Sequence, residues 1–526
     1  MTHAIDRLFE QRIAGLVNRG TAALLRHGRK GLEKESLRVT RDGAIAQSPH
    51  PIALGAALTN QYITTDYSEA LIELVTPTFT ESWALMQFLC DLHQFIYRNL
   101  DDELLWATSM PCVLEGDASI PIANYGRSNV GMMKTVYRRG LGSRYGRMMQ
   151  AIAGVHFNYS FPTDLWPILA DLREEREHGQ EFVSARYFDL LRNYRRYGWL
   201  VLYLFGASPA VCASFVADRP HTLARKADGS LYAPYATSLR MSDLGYRNKS
   251  QSGVLVSVNS LDEYVRDLTR AITSRHTDYE RIGVKVAGEY RQLNANLLQI
   301  ENEYYSFIRP KRVARPGERP TVALRRGGVE YVELRALDVS AFDPVGVGES
   351  TLHFLEAFLA LCLLRDSPLI EAREQGVLDG NHARVAYRGR EPGLKLARGT
   401  TEVTLEQWAR ELLDDMRGIC ELLDGDDDAR PYTVALEAQT AKVADPTRTP
   451  SALLMLELEM RCESFSQFAL RMSRTHKDYF LQLYPPNPTR LAEFISEAAA
   501  SLDRQAALEA APGPTFDEYL AAYFAG

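Results

Sequence analysis

Acidic residues recur at alternate positions in two stretches of the chain, Gly31-Leu32-Glu33-Lys34-Glu35-Ser36-Leu37-Arg38-Val39 and Val329-Glu330-Tyr331-Val332-Glu333-Leu334-Arg335-Ala336-Leu337-Asp338. Successive side chains of an extended backbone point to opposite faces. Glu33 and Glu35 therefore share one face of the first stretch, and Glu333 and Arg335 one face of the second. Burying a carboxylate is costly unless positive charge neutralises it. Carboxylates converging on one sheet face point to a multivalent cation, and an arginine beside them points to an anionic substrate.

Asp66, Glu69, Glu73, Glu301 and Glu303 also fall in or beside strand-like stretches. Any one of them alone fits a half-exposed strand. Together with Glu33, Glu35 and Glu333 they suit Mg²⁺ or Mn²⁺, ions that bridge protein to nucleotide phosphates. His156 reads either as a hydrogen-bonded residue of a polar strand face or as a ligand at the edge of this cluster. Residues 309–328 hold seven basic residues opposed by Glu318 alone. They read either as a mobile surface loop or as a flap over nucleotide phosphates, with Arg309, Lys311 and Arg312 nearest the Glu301/Glu303 stretch. Tyr137, Arg138, Arg240 and Tyr246 supply guanidinium and phenol groups suited to a substrate carboxylate and the wall of a small pocket. The chain has no Walker A motif, GxGxxG, HExxH, GxSxG or zinc-type Cys/His cluster.

Strands and helices must hold these residues in place. The clearest strand is 154–161, with Val155, Phe157, Tyr159 and Phe161 on one face and His156, Asn158 and Ser160 on the other. Residues 298–305 repeat the alternation, with Gln299, Glu301, Glu303 and Tyr305 in one register, and read as another strand. Helices are expected at 81–100, 184–204 and 260–272. The absence of a repeated βαβ period predicts an α+β fold with a mainly antiparallel sheet. After Gly348 strand patterns almost vanish and helices are expected at 350–364, 404–423, 451–468 and 489–510, the last announced by Pro485-Pro486-Asn487-Pro488. This gives an α+β catalytic region at 1–349 and a helical region at 350–526 packed on it as one structural unit. Asp424-Gly425-Asp426-Asp427-Asp428 lacks the ligand spacing of an EF-hand and reads as a solvated loop.

Composition narrows the function. The 526 residues, 46% hydrophobic and 24% charged, suffice for a large core. A net charge of -7 and a pI near 6.0 argue against a nucleic-acid or anionic-membrane partner. Cys90, Cys112, Cys212, Cys362, Cys420 and Cys462 show no paired spacing and read as reduced thiols of a cytoplasmic protein. Residues 199–216 carry no charge and are long enough to suggest a membrane span. Gly206-Ala207-Ser208-Pro209 interrupts them, so the reading is a buried helix, a turn and a second buried segment. Residues 2–20 place Ile5, Leu8, Phe9, Ile13, Leu16 and Val17 at helical spacing around Asp6 and Glu10, which predicts an amphipathic surface helix.

Seven separated motifs, GLEKESLRVT, ITTDYSEALIEL, TVYRRGL, GVHFNYSFP, PYATSLRMSDLGY, LQIENEYYSFIRPKRV and GGVEYVELRALD, resemble in order and spacing the proteobacterial type of the glutamate–cysteine ligase family. The resemblance covers about residues 28–345 and fades after about 350. It implies a glutamine-synthetase-like antiparallel sheet flanked by helices. It also implies ATP-dependent joining of the γ-carboxyl of L-glutamate to the amine of L-cysteine, the first step of glutathione biosynthesis. By the same resemblance, Glu33, Glu35, Asp66, Glu73, His156 and Glu333 belong to a metal-binding wall. Arg240 and Arg335 hold glutamate or the transferring phosphoryl group, and Tyr137, Arg138, Tyr246 and Tyr305 form the cysteine pocket. Tyr67 stands where the family can have Phe, which makes that pocket wall more polar. Bifunctional relatives add an ATP-grasp extension for which this chain has no room, so only the first step is expected.

The expected chemistry is phosphorylation of the γ-carboxylate by ATP, attack of the amine on the γ-glutamyl phosphate, and release of ADP and phosphate, with Glu333 and Arg335 at its centre. The partners are L-glutamate, L-cysteine and ATP with Mg²⁺, in a monomer that meets neither nucleic acid nor membrane. The alternatives are a γ-glutamyl ligase using another amine, a metal-dependent phosphohydrolase in which the same acids activate water, and a binding scaffold without catalysis.

Overall fold

The computed structural model describes residues 2–111, 113–216, 219–245 and 254–525. Seven strands form its central sheet: β1 (Arg29–Val39), β2 (Ile63–Thr65), β3 (Leu71–Val75), β4 (Leu104–Leu105), β5 (Val155–Ser160), β6 (Ile308–Lys311) and β7 (Tyr331–Leu337). They lie in the order β6-β7-β5-β1-β3-β2, β4 pairs with the end of β1, and every pairing is antiparallel. Glu33 stands opposite His156, Glu35 opposite Glu73, and Glu333 opposite both Asn158 and Arg309. With a side-chain period of two, this register gathers the charged residues of five strands on one face. The other face carries Val332, Leu334, Val155, Phe157, Tyr159, Leu32, Ile72 and Leu74, all buried. β7 bulges: Leu334 pairs with Phe157 and Leu337 with Val155, so Arg335 and Ala336 together face one residue of β5.

The back of β1 is not apolar throughout, for Lys30, Lys34 and Arg38 are buried there. Lys30 Nζ donates to Glu356 at 2.6 Å, and Arg38 Nη1 donates to Glu103 at 2.7 Å. Lys34 Nζ bonds Ser36 and lies 3.2 Å from His93 Nε2. β1 thus presents carboxylates forward and cations backward, and each cation is met by a different part of the chain.

Helices α1 (Ser82–Asn99), α3 (Gln180–Tyr197) and α5 (Glu349–Leu364) cover the back face, whereas α2 (Asn129–Tyr145) lies beside the polar face and α4 (Pro320–Gly327) follows β6. α5 packs on α3, and α3 on β6. One continuous core joins Leu32 and Phe157 of the sheet to Phe358, Leu412 and Phe468 of the helices that follow. The helices expected at 81–100, 260–272, 350–364, 404–423 and 489–510 are found at Ser82–Asn99, Leu261–Thr273, Glu349–Leu364, Leu405–Asp424 and Pro488–Ala510, and the N-terminal one at Thr2–Asn18.

Several expectations are corrected. The helix expected at 184–204 is interrupted at Gly198 and continues as Trp199–Phe205. The one expected at 451–468 is two, Pro450–Met460 and Phe465–Gln482. Between them Cys462 has a φ of 52°, and a capping box of Ser464 and Gln467 restarts the helix. Residues 298–305 form no strand. They fold into a 3₁₀ turn at Glu301–Glu303, where Gln299 N donates to the Glu303 carboxylate at 2.6 Å, a side-chain-to-backbone bond that competes with any strand ladder. The basic segment is not a loop throughout, because β6 takes its start and α4 its end, leaving 312–319 irregular. Asp424 of the acidic turn is buried and accepts from Tyr432 N and Thr433 N at 2.8 and 3.0 Å, where it tethers the first turn of helix Pro431–Ala444. The charge-free stretch does follow expectation, with the buried helix Trp199–Phe205, a break, and a second segment made of strand Ala210–Cys212 and helix Ala213–Val216 in which Ala210, Val211, Phe215 and Val216 are buried. Among the described residues no helix is long and apolar enough to cross a membrane. Cys362 and Cys420 are buried, Cys90 and Cys212 half-buried and Cys462 exposed, all as free thiols; Cys112 lies outside the described residues.

Candidate active site

Glu33 stands at the middle of the polar face. One of its oxygens lies 3.0 Å from His156 Nδ1, and the other accepts from Asn158 Nδ2 at 2.9 Å. His156 Nε2 is 3.7 Å from Glu35, and its Nδ1 is 3.9 Å from Glu333. Glu33, Glu73 and His156 each bring a ligand atom within 4.8 Å of the others. Glu35 also accepts from Gly154 N at 2.7 Å. Glu333 Oε1 accepts from Arg335 Nη1 at 3.1 Å, while its Oε2, 3.4 Å from Lys311 Nζ, makes no hydrogen bond. Asn158 Oδ1 is likewise buried without a hydrogen bond.

The electrostatics divide the acids in two. Burial works against the Glu333 charge, but Lys311, Arg335 and His156 hold its carboxyl well below the usual range. Burial also opposes Glu33, which the hydrogen bond from His156 nevertheless keeps low. Glu35, by contrast, is pushed up to about 8 by burial and then by the charge of Asp66. Glu73 is raised well above its ordinary value by burial and by Glu33, Asp66 and Glu35. Burial and Arg335 lower His156, which leaves a neutral imidazole with a lone pair to offer. Glu35 and Glu73 therefore crowd negative charge that the surrounding cations do not offset. A divalent cation fits this donor set of carboxylate oxygens and one imidazole nitrogen, and its binding would release their protons.

Arg240, buried in the 3₁₀ turn Leu239–Met241, reaches the same place from outside the sheet. Its Nη2 donates to Arg335 O at 3.0 Å, and its Nη1 lies 3.7 Å from Asp338, which Ser238 Oγ and Ala207 N hold at 2.9 and 2.8 Å. Gly154 makes room for it, since a Cβ there would lie 2.0 Å from Nη2. Alongside is a cavity of about 100 Å³ bordered by Glu35, Asp66, Tyr67, Tyr137, Arg138 and Tyr305. Successive turns of α2 deliver Tyr137, Arg138, Leu141 and Tyr145 to it. The Arg138 guanidinium bonds Asp66 O and lies 4.6 Å from the centre of the Tyr125 ring. Tyr305 donates to Met241 Sδ at 3.3 Å. A larger cavity, about 770 Å³, lies on the other side of Tyr305 and contains none of the converging sheet carboxylates.

The other singled-out residues are held by local partners, though Glu303 and Arg309 also border the small cavity. Glu69 accepts from His50 N and Asn124 N at 2.9 and 2.8 Å, and Glu301 accepts from Thr321 Oγ1. Glu303 is paired with Arg144. The Arg309 guanidinium is taken up by the carbonyls of Asn302 and Tyr304, and Arg312 bonds Gly328 O beside Glu330; of this basic trio, Lys311 is the one that reaches Glu333. Tyr246 lies outside the described residues. Two residues that the sequence reading did not single out are Asn158 and Asp338. Asn158 shares the face of His156 two positions on and was open to the same argument. Asp338 gains its role from a turn a hundred residues earlier in the chain, for which no local signal exists.

An antiparallel sheet that gathers carboxylates and arginines on one face defines a site able to hold divalent cations beside anionic substrates. Residues 13–385 match the family model of glutamate-cysteine ligase. The glutamate–cysteine ligases of Alcanivorax borkumensis and Azotobacter vinelandii are 51% and 48% identical, over 98% and 99% of this chain and 99% and 98% of their own. The 2.0 Å crystal structure of the Francisella tularensis glutamate–cysteine ligase in complex with AMP has a TM-score of 0.89 at 38% identity, over 95% of this chain and 98% of that one. A bifunctional glutathione synthetase from Pasteurella multocida shares the fold, with a TM-score of 0.70 at 24% identity, over 90% of this chain and 55% of that one. The chain belongs to the glutamate–cysteine ligase family. Its likeness to relatives continues past residue 350, where the recognised motifs had faded, through the helical region.

Proposed function

We propose that the polar sheet face joins the γ-carboxyl of L-glutamate to the amine of L-cysteine at the expense of ATP, the first step of glutathione biosynthesis. The observation that carries this reading is the meeting of Glu33, Glu35, Glu73, His156 and Glu333 with the guanidiniums of Arg240 and Arg335. Glu33, Glu35, Asp66, Glu73, His156 and Glu333 would hold Mg²⁺, with Mn²⁺ also suited to the donors. A cation held by these residues would screen the repulsion between carboxylate and triphosphate.

The chain's own groups do the rest. Burial opposes the Arg335 charge, but Glu333 beside it pushes its guanidinium above the ordinary value, so it remains a cation for the transferring phosphoryl group. Arg240 holds glutamate, and Lys311, Arg309 and Arg312 flank the nucleotide side. The AMP complex of the Francisella relative supports a nucleotide site on this fold. Tyr137, Arg138, Tyr246 and Tyr305 receive cysteine. Transfer of the terminal phosphoryl group of ATP turns the γ-carboxylate, a poor electrophile, into an acyl phosphate with a good leaving group and releases ADP. The amine then attacks the acyl carbon, phosphate departs with the C–O bond pair, and the amine's proton passes to the departing phosphate to leave the amide. No side chain of the protein is a nucleophile in this scheme. All the residues named belong to one chain, so a monomer suffices, and the cytoplasm suits ATP and a reduced thiol substrate.

The test is ADP release from MgATP with L-glutamate alone, L-cysteine alone and both, with the product identified by mass. Release requiring both, with a γ-glutamylcysteine mass, supports the reading. Release without either amino acid overturns it in favour of hydrolysis.

A further inference from the structure

Two walls of the small cavity come from distant parts of the chain. α2 supplies Tyr137, Arg138 and Tyr145, and the 3₁₀ turn with the residues after it supplies Asn302, Glu303 and Tyr305. Glu303 ties them together. One of its oxygens accepts from Arg144 Nη1 at 3.0 Å and from the Tyr145 hydroxyl at 2.6 Å; the other accepts from Gln299 N at 2.6 Å. The side chains of Arg144 and Glu303 are both 0% exposed. Each nitrogen of Arg144 donates, Nε to Gln292 Oε1 at 2.9 Å and Nη2 to Asn294 O at 2.8 Å, and its guanidinium lies 4.1 Å from the centre of the Tyr279 ring. Gln299 in turn donates to Tyr137 O at 3.2 Å. α2 is seated tightly against it, since a Cβ on Gly140 would lie 2.1 Å from Gln299 Oε1. Burial and the neighbouring Glu303 charge raise the Tyr145 phenol far above its ordinary range, so it remains a donor.

A buried ion pair of this kind contributes little net stability, because desolvation offsets much of the attraction. What it fixes is geometry: a planar guanidinium held at all three nitrogens admits one placement. Both oxygens of Glu303 accept from α2 or from Gln299, at the edge of the cavity. Glu303 fixes the last turn of α2 against the segment that carries Tyr305. We infer that Glu303 is a positioning residue that sets the width of the acceptor pocket, and through it the affinity for the amine substrate, without acting on glutamate or ATP. This inference rests on the proposed ligase reading, in which that cavity receives cysteine.

The experiment is steady-state ADP release by the full-length protein, with each of the three substrates varied in turn. In Glu303→Gln the amide cannot reproduce the three acceptor bonds, and the KM for cysteine should rise about tenfold while those for glutamate and ATP stay within about twofold, since small misplacements in a site act on the group they misplace. Arg144→Lys keeps the charge pair but not the fork, and should show the same selective rise, smaller in size. It remains informative if Glu303→Gln fails to fold. A merely structural role predicts otherwise: three KM values and kcat that change together, or a lower melting temperature with unchanged kinetics. Either result overturns the inference. If the unmodified protein releases ADP without needing cysteine, the ligase reading itself fails. If it needs cysteine and both folded variants keep the parent KM, only the inference about Glu303 fails.

Discussion

Gly154→Ala adds one methyl group to the candidate site. Built onto the backbone, the new Cβ lies 2.0, 2.6 and 3.0 Å from Nη2, Cζ and Nε of Arg240. Ordinary carbon contacts begin near 3.5 Å, so the guanidinium must retreat by about 1.5 Å. That displacement breaks the 3.0 Å bond from Nη2 to Arg335 O and the 3.7 Å approach to Asp338. A hydrogen bond from a charged group is worth about 2 kcal/mol, or roughly 30-fold in rate, and a misplacement of about 1 Å in a site can cost about 100-fold. The expected result is a fall of about 30-fold to 100-fold in kcat/KM for glutamate. The backbone N–H of residue 154 still donates to Glu35, so Mg²⁺ affinity measured by calorimetry and the far-ultraviolet circular dichroism should match the parent. The assay is coupled ADP release at saturating ATP and cysteine. A folded Gly154→Ala protein with parental kcat/KM for glutamate would refute the assignment of Arg240.

Glu333→Gln removes the charge that faces Lys311 and Arg335 and should abolish Mg²⁺-dependent ADP release while the protein stays folded; retained activity with normal metal dependence contradicts the site. Lys30→Met leaves Glu356 buried without its cation and should cost about 3–5 kcal/mol in urea denaturation, whereas Lys30→Met with Glu356→Leu should recover most of it; equal losses in both would mean the pair does not interact. His353 is held down to about 4 by burial and then by Lys30, with Asp424 and Asp427 opposing. The unfolded chain therefore takes up a proton below about 6.5 that the folded chain refuses, and stability falls as pH drops from about 6.5 to about 4, by about 3 kcal/mol. In His353→Gln that part of the acid slope should vanish from the pH dependence of unfolding; an unchanged slope would show that other groups carry it.

The strand-borne part of the site was legible because alternation is a local rule. Glu33, Glu35, His156, Glu333 and Arg335 follow from a two-residue period and one shared sheet face, and the register delivers them there. The same rule misled at Glu301 and Glu303, where alternation occurs without a partner strand and side-chain bonds to the backbone build a turn instead. Arg240 and Asp338 lie beyond any local rule, since their meeting depends on a turn and a strand end far apart in sequence. α2, which carries Tyr137 and Arg138, escaped as a helix because its sequence is rich in glycine and polar residues: Gly131 and Gly140 are buried by close packing, not by an apolar stripe. After residue 348 capping and periodicity found the helices at Glu349–Leu364, Leu405–Asp424 and Pro488–Ala510 but not Ala372–Arg388, Pro431–Ala444 or Phe516–Ala525, and neither the break at Cys462 nor the earlier one at Gly198 was foreseen, because interruption of a helix is decided by packing around a single residue.

The cations behind β1 give the molecule a timetable. His93 and Glu103 follow Lys34 and Arg38 closely in the chain, but Glu356 follows Lys30 by 326 residues. At about 5–20 residues per second, synthesis separates that pair by on the order of half a minute. A strand shifted by one residue would turn its lysines toward the carboxylates' side and its carboxylates toward the core, and one of the three contacts that penalise this error is missing until Glu356 emerges. Contacts so distant in sequence also close late, after the loop entropy has been met. α5 places no residue in the candidate site, yet it delivers the final check on the register of the strand that carries Glu33 and Glu35.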